Sequence, residues 1–176
     1  MLSAVRGEMR DKRVVALVGG ALAVVLVAAV LTWVLWPSTP AEPRARQYRD
    51  VTACLLTDVH GVAGSGAAPV WAGLQSASLS THGQVRYLSV TGDQTAANAQ
   101  TFLGTLLLGR CTVIAAAPGI ADTAVRAVAG KYASQQFLVV GGAPAPSPNV
   151  TRVDGGSAAD ITAQVSTSVA GRLSAG

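Results

Sequence analysis

Five short apolar runs alternate with longer segments of helical periodicity from residue 51 onward, and this alternation limits the fold more than any other feature. The runs that we predict to be strands are 51–58, 85–90, 111–117, 136–140 and 149–154. The predicted helices occupy residues 69–80, with Pro69 in the first turn, and residues 96–109, 120–132 and 157–173. Continuous apolar strands separated by helices indicate a parallel sheet covered on both faces. With right-handed crossovers, we expect a single doubly wound α/β layer with strand order 2-1-3-4-5.

An uncharged apolar stretch precedes this domain. Residues 14–36 are 23 residues without a charge, and as a helix they would extend about 34 Å, enough to cross a bilayer. Trp33 and Trp36 stand at its end, where indole rings favour the membrane interface. The alternative is a cleaved signal peptide, whose apolar core normally has roughly 7 to 15 residues. We favour an uncleaved transmembrane anchor.

Basic residues on the two sides of this stretch predict its orientation. Four precede it and three follow it, a small excess that favours a cytoplasmic N-terminus. We therefore predict a cytoplasmic tail at 1–13, an anchor at 14–36, a Pro-rich linker at 37–50 and an extracytoplasmic domain at 51–176. The predicted location is the cell membrane, with a single pass.

The net charge of +4 belongs mainly to the segments that flank the anchor. From residue 51 onward, six basic and five acidic residues leave one net positive charge. A domain with so little excess charge lacks the basic footprint of a nucleic-acid-binding surface, so we expect no nucleic-acid partner.

Polar residues and glycines follow the predicted strands, at the edge where doubly wound sheets bind ligands. The candidate ligand-binding residues are Asp58, His60, Gly61, Trp71, Thr91, Asp93 and Gly119. The glycines at 61, 64 and 66 match neither a dinucleotide fingerprint nor a phosphate-binding P-loop. A flexible turn before a helix, with Asp58 capping the loop, explains the same residues without a ligand.

Groups for catalysis or metal binding are missing from this pattern. A metal site needs three or four ligands, and the domain's second histidine, His82, falls in a turn at the opposite end of the layer. No nucleophile or second carboxylate stands beside Asp58 and His60. We therefore predict a protein that is not an enzyme and has neither a metal nor a cofactor.

The two cysteines lie near the starts of neighbouring strands in the predicted order. Cys54 belongs to the first strand and Cys111 opens the third. A disulfide would be favoured outside the cytoplasm, whereas two buried free thiols are the alternative. We favour the disulfide.

Several segments together resemble a known family. The stretch LLTDVHG…VWAGL, residues 109–142 and residues 148–173 are similar, in the same order, to the basic membrane protein (BMP) type of ABC transporter substrate-binding lipoproteins, which bind purine nucleosides. The resemblance implies the N-terminal lobe of a type I periplasmic binding protein fold. Asp58 matches the family's strand aspartate, Gly61 its second loop glycine, and Trp71 with Gly73 its W-x-G motif.

The departures from the family pattern fall on its ligand contacts. Residues 63–68 are small and mostly apolar where the family has polar and aromatic groups, and Gly141 replaces an acidic residue. The second lobe and the lipid-accepting cysteine are absent from this sequence. We therefore expect a membrane-anchored, single-lobe module that binds or senses a solute of the nucleoside class weakly. The alternative is a protein-interaction module that docks a partner or a second copy through the strand-end face and the last helix.

Overall fold

A computed structural model describes residues 26–32 and 48–175. Residues 26–32 are helical and belong to one compact unit, and residues 48–175 belong to another. Most of the predicted anchor at 14–36 and of the linker at 37–50, and all of the tail at 1–13, lie outside the described residues. Within the residues that are described, no helix has the length and apolar character needed to cross a membrane.

Residues 48–175 contain five strands and four α-helices. In chain order these are β1 (Thr52–Thr57), α1 (Ala67–Thr81), β2 (Gln84–Ser89), α2 (Ala96–Leu108), β3 (Val113–Ala116), α3 (Ile120–Val128), β4 (Gln136–Val140), β5 (Val150–Val153) and α4 (Ala158–Ala175). Short 3₁₀ turns occur at Gly61–Ala63 and Ala129–Lys131. The predicted strands are all confirmed, with shifts of one or two residues at several of their ends.

The sheet is parallel throughout and has the order β2-β1-β3-β4-β5, as predicted. The three inner strands are almost wholly buried because helices cover both faces. Side chains alternate between those faces along β1: Leu55 packs beneath α1 and α4, and Leu56 packs beneath α2 and α3. We call these the α1–α4 face and the α2–α3 face.

The third helix is shorter than its apolar periodicity predicts. It ends at Val128, and the chain continues as a 3₁₀ turn before Tyr132, which is 43% exposed. The connection from β4 to β5 contains no α-helix within residues 141–149. This loop is hydrogen-bonded to α3 through Arg126.

The disulfide between Cys54 and Cys111 is confirmed, and it joins residues 57 positions apart with Cα atoms separated by 5.8 Å. The two cysteines are not register partners, since Cys54 lies opposite Ile114 in the ladder. Cys111 stands two residues before β3 begins. This offset gives the sulfur atoms an approach that directly opposed residues of parallel strands do not have.

Candidate functional site

The loop after β1 forms one side of the carboxyl edge, the edge of the sheet at which its strands end. Asp58 Oδ1 accepts a hydrogen bond from the His60 amide at 2.9 Å, and the Gly61 amide donates to the Asp58 carbonyl at 3.1 Å. The predicted capping role of Asp58 is thereby confirmed. The His60 residue is exposed at this edge, while Asp58 is half-buried.

Gly61 holds this loop close to the neighbouring strand. Its φ is +61°, a conformation that favours glycine, and a Cβ there would lie 3.2 Å from Ser89 Oγ. Ser89 Oγ also accepts a hydrogen bond from Thr57 Oγ1 at 3.1 Å. The end of β1, the end of β2 and the first turn of the loop therefore form one packed unit.

The loop after β2 is tied to the β1 loop by Gln94, a residue that the sequence patterns did not single out. Gln94 Oε1 accepts from the Val59 amide at 3.0 Å, and its Nε2 donates to the Val90 and Gly92 carbonyls at 3.1 and 2.9 Å. The polar break before α2 was its only sequence signal. Gln94 makes the two loops one surface.

Thr91 and Asp93 contribute their backbone carbonyls to this arrangement. Both carbonyls accept from Asn98 Nδ2 at 2.8 Å, and Thr95 Oγ1 caps α2 by accepting from the Asn98 amide at 3.2 Å. The Thr91 and Asp93 residues themselves are exposed. The loop is therefore internally fixed while both predicted site residues face solvent.

The β1 and β3 loops meet at the switch point of the sheet. A Cβ on Gly66 would lie 3.4 Å from Pro118 Cδ, so the chain before α1 lies against the chain before α3. Gly119 follows, with φ +106° and ψ −131°, and no atom lies within 4 Å of the position that its Cβ would take. The backbone at Gly119 is thus open on the side where a side chain would stand.

Trp71 lies away from this group of loops, in the second turn of α1. It contacts Tyr87 of β2 edge to face, with ring centroids 5.5 Å apart, and packs partly against the core. Tyr87 is the register partner of Leu55, two positions before the end of β1. The structure thus groups six of the seven predicted site residues at the carboxyl edge and places Trp71 beside the edge strand.

Arg126 organises the far part of the carboxyl edge. It donates to both oxygens of Asp122 at 2.7 and 2.9 Å and to the carbonyls of Ala143, Pro144 and Gly141 at 2.8, 3.0 and 3.1 Å. Both side chains of the ion pair are 16% exposed. These bonds fix the β4–β5 loop onto α3, an arrangement that no sequence pattern predicts.

Charge is unevenly divided between the two edges of the sheet. The carboxyl edge carries five aspartates and two arginines, which leaves three net negative charges there: Asp58, Asp93, Asp122, Asp154 and Asp160, with Arg126 and Arg152. The four helices begin at this edge, and each N-terminus contributes about half a positive charge. The helix dipoles therefore offset much of the negative charge and leave an edge that is close to neutral.

The first turn of α4 shows this compensation in detail. Ser157 Oγ and the Ser157 amide donate to Asp160 Oδ2 at 2.6 and 3.2 Å, and the Asp160 amide donates to Ser157 Oγ at 3.2 Å. The Ser157 hydroxyl, followed by its amide, lowers the pKa of Asp160. This reciprocal arrangement is a capping box, in which an aspartate takes the place usually held by glutamate.

Metal ligands do not converge anywhere in residues 26–32 and 48–175, where no group of three or more His, Cys, Asp or Glu side chains lies together. His82 caps the C-terminus of α1 at φ +58°, so it lies at the amino edge of the sheet, opposite His60. This placement agrees with the position predicted for it.

A groove of about 740 Å³ lies on the α1–α4 face rather than at the strand ends. Small or uncharged residues line it: Ser65, Ala68, Pro69, Ala72, Ser76, Ala158, Ala159, Thr162, Ala163, Ser166 and Thr167. Thr162 Oγ1 donates to the Pro69 carbonyl at 3.1 Å, and the hydroxyls of Ser166 and Ser76 are 3.0 Å apart. These contacts hold the two helices together along the floor of the groove.

Comparisons with known proteins show a shared fold. No protein-family model matches the chain, and no curated protein matches it. The crystal structure of a fragment of a predicted lipoprotein from Peptoclostridium difficile 630 is similar, with a TM-score of 0.58, 15% identity, and coverage of 70% of this chain and 98% of that one. At this identity the likeness shows the fold alone.

A second solved structure overlaps a smaller part of the chain. It contains ABC transporter system solute-binding proteins from Aeropyrum pernix K1, with a TM-score of 0.49, 19% identity and coverage of 58% of this chain. This chain spans 28% of the length of that protein. The BMP-type resemblance of the sequence stays a prediction.

Proposed function

We propose that the chain is a membrane-anchored, extracytoplasmic and non-catalytic module that binds an uncharged solute weakly at its carboxyl edge. The observation that carries this proposal is the joining of the β1 and β2 loops by Gln94, beside the open backbone at Gly119. Because these loops are already fixed, their exposed residues Thr91 and Asp93 could contact a ligand with little loss of loop entropy on binding. The Cys54–Cys111 disulfide supports a location outside the cytoplasm.

The local charge on the β1–β2 side of the edge favours an uncharged ligand over an anionic one. Asp122 and Asp154 are ion-paired with Arg126 and Arg152, whereas Asp58 and Asp93 lie on the β1–β2 side, where no arginine pairs with them in the described residues. A phosphate group near these carboxylates would meet like charge. A nucleoside, which the family resemblance suggests, carries no such charge.

Weak affinity follows from the openness of the edge. Tight small-molecule sites bury 70% or more of the ligand surface, and the solvent-exposed residues Thr91, Asp93 and Gly119 provide one wall of such a site. We expect a dissociation constant of about a millimolar, equivalent to roughly −4 kcal/mol. A partner that supplied a second wall would raise the affinity.

Calorimetry and residue-resolved NMR on the full chain in detergent test this proposal. We expect a nucleoside to shift resonances of residues 58–66, 91–94 and 118–120, and the matching nucleoside monophosphate to bind at least about tenfold more weakly. The double variant Asp58→Asn/Asp93→Asn should narrow this difference in affinity, because it removes both negative charges. Asparagine at 58 retains the oxygen that accepts from the His60 amide, so the loop should keep its conformation. Asp154→Asn is the matched control. A panel of nucleosides that gives no heat and no shifts at millimolar concentration would reject solute binding at this edge.

The groove between α1 and α4 favours a second candidate function, the docking of a protein partner. Its walls carry no charged side chain, so a partner helix could enter it without dehydrating an ion. Ala72→Glu would introduce a charge on its α1 wall and should abolish such an association. If the same partner co-purified from membranes in equal amounts with Ala72→Glu and with the wild type, docking in this groove would be rejected.

A further inference from the structure

Arg86 lies across the disulfide between β1 and the start of β3. Its Nε is 3.3 Å from Cys54 Sγ, and its Nη2 is 3.8 Å from Cys111 Sγ. The same Nη2 donates to the Gly109 carbonyl. Cys54 and Arg86 are register partners on adjacent strands, so the parallel ladder itself places the guanidinium beside the sulfur atoms.

The guanidinium interacts differently with the two redox states of the cysteines. The sulfur of a disulfide is neutral and is a weak acceptor, whereas a thiolate accepts a charge-assisted hydrogen bond from an arginine. Burial disfavours a thiolate at Cys54, which is wholly buried. The positive charge at 3.3 Å acts in the opposite direction and is present in the folded protein before reduction.

The two sulfur atoms also differ in access. Cys111 is 4% exposed and precedes β3, whereas Cys54 is 0% exposed and lies within β1. Cys111 is therefore the more exposed residue of the two, and we assign the attack of the incoming thiol to its sulfur. Cys54, nearer to Arg86, is placed to leave as a thiolate, and stabilisation of the leaving thiolate accelerates exchange.

We propose that Cys54–Cys111 is a thiol–disulfide exchange site for a dithiol reductant, with Cys54 as the leaving thiolate and Arg86 as its positioning residue. A thiolate of the reductant attacks Cys111 Sγ and forms a mixed disulfide, while the electron pair of the broken bond goes to Cys54 Sγ. The second thiol of the reductant loses its proton and attacks the reductant's sulfur atom in the mixed disulfide. This step releases Cys111 as a thiolate, which takes up a proton. Two electrons pass to the protein, and the reductant leaves as its disulfide.

The test is a redox equilibrium measured on the full chain in detergent. The protein is equilibrated with dithiothreitol buffers of graded oxidised fraction, quenched with acid, alkylated and analysed by mass spectrometry. We expect Arg86→Gln to lower the equilibrium constant for reduction by about tenfold and Arg86→Lys to lower it less. Arg110→Gln, which removes another exposed arginine, is the matched control and should leave the constant unchanged.

The pH dependence separates this role from a purely structural one. The difference between the wild type and Arg86→Gln should be large at about pH 8 and should shrink at about pH 5, because a protonated thiol no longer attracts the guanidinium. Arg86→Lys keeps the charge and serves as the folded comparison if Arg86→Gln unfolds. An equilibrium constant that is the same in Arg86→Gln and the wild type, that rises in Arg86→Gln, or whose difference does not change with pH, would overturn the proposal.

Discussion

Gly73 of α1 lies directly against Val165 of α4. A Cβ on Gly73 would stand 2.7 Å from the Val165 Cβ and 2.8 Å from the Thr162 carbonyl oxygen. Both residues are buried. The absence of a side chain at this one position therefore sets how closely the two helices approach.

The first prediction concerns this contact. Gly73→Ala should lower the free energy of unfolding by about 1–3 kcal/mol, because the added methyl group forces α1 and α4 apart. Urea denaturation followed by circular dichroism measures the change. Gly104→Ala in α2 is the control, since nothing lies within 4 Å of its Cβ position, and it should raise stability by about 0.5–1 kcal/mol. Equal effects of the two substitutions would show that the close approach carries no energetic weight.

The second prediction concerns Asn149, which is 6% exposed in front of β5. Its Nδ2 donates to the carbonyls of Ala129, Tyr132 and Gln135 at 2.9 to 3.0 Å. Asn149→Ala leaves these carbonyls without their donor and should cost about 2–3 kcal/mol of stability in urea denaturation.

Asn98→Ala is the matched control for Asn149→Ala. The Asn98 Nδ2 also donates to two carbonyls, but these belong to an exposed loop, where water can replace the lost donor. We expect a loss of about 0.5–1 kcal/mol. A loss of stability in Asn149→Ala no greater than that in Asn98→Ala would contradict the structural role assigned to the buried amide.

The burial of Asn149 also predicts that the sequon Asn149-Val150-Thr151 is not glycosylated in the folded domain.

The third prediction concerns the pair Arg126 and Asp122. Arg126→Met removes the donor for three carbonyls and leaves Asp122 unpaired, so we expect a loss of about 3–5 kcal/mol. Hydrogen exchange in residues 141–146 should accelerate, which mass spectrometry can measure. The double variant Asp122→Asn/Arg126→Met should recover part of the loss. If the loss of stability in the double variant equals the sum of the losses in Asp122→Asn and Arg126→Met, the ion pair makes no contribution of its own.

The fourth prediction concerns pH and Asp160. Because the folded state lowers the pKa of Asp160 through Ser157, this carboxylate stabilises the fold above the ordinary aspartate pKa of about 4. That contribution is lost as the pH falls through the lowered pKa. The difference in unfolding midpoint between the wild type and Asp160→Asn should therefore be present at neutral pH and vanish in strong acid.

Ser157→Ala provides the control for the pH experiment. It removes the hydroxyl that donates to Asp160 at 2.6 Å, so the pH dependence assigned to Asp160 should shrink in this variant. The loss of this pH dependence should be similar in the double variant Ser157→Ala/Asp160→Asn. A wild-type pH profile that persists unchanged in Asp160→Asn would assign the acid sensitivity to other groups.

The strands, the sheet order and the disulfide were predictable because each depends on local pattern or on chain topology. Apolar runs such as 136–140 have one stable environment, a strand buried on both faces. The order 2-1-3-4-5 is one of the common orders of doubly wound sheets with right-handed connections. Once β1 and β3 are neighbours, Cys54 and Cys111 are brought within reach of each other.

The connections within the candidate site were not predictable from the same patterns. Gln94 bonds to Val59 across 35 positions, and Arg126 reaches carbonyls 15 to 18 positions away. Such bonds depend on side-chain directions that periodicity does not record. Trp71 illustrates the same limit, since its helix was correctly placed while its contact with Tyr87 depends on the rotation of that helix.

Arginines on the two outermost strands bear on how copies of this protein behave together. Arg86 stands on β2 and Arg152 on β5, the two outermost strands of the sheet within residues 48–175, and both residues are exposed. Charged side chains on edge strands are one of the features by which proteins disfavour pairing with an additional strand. We therefore expect edge-to-edge pairing of sheets from different copies to be disfavoured, so that the domain does not assemble into fibrils at high protein concentration.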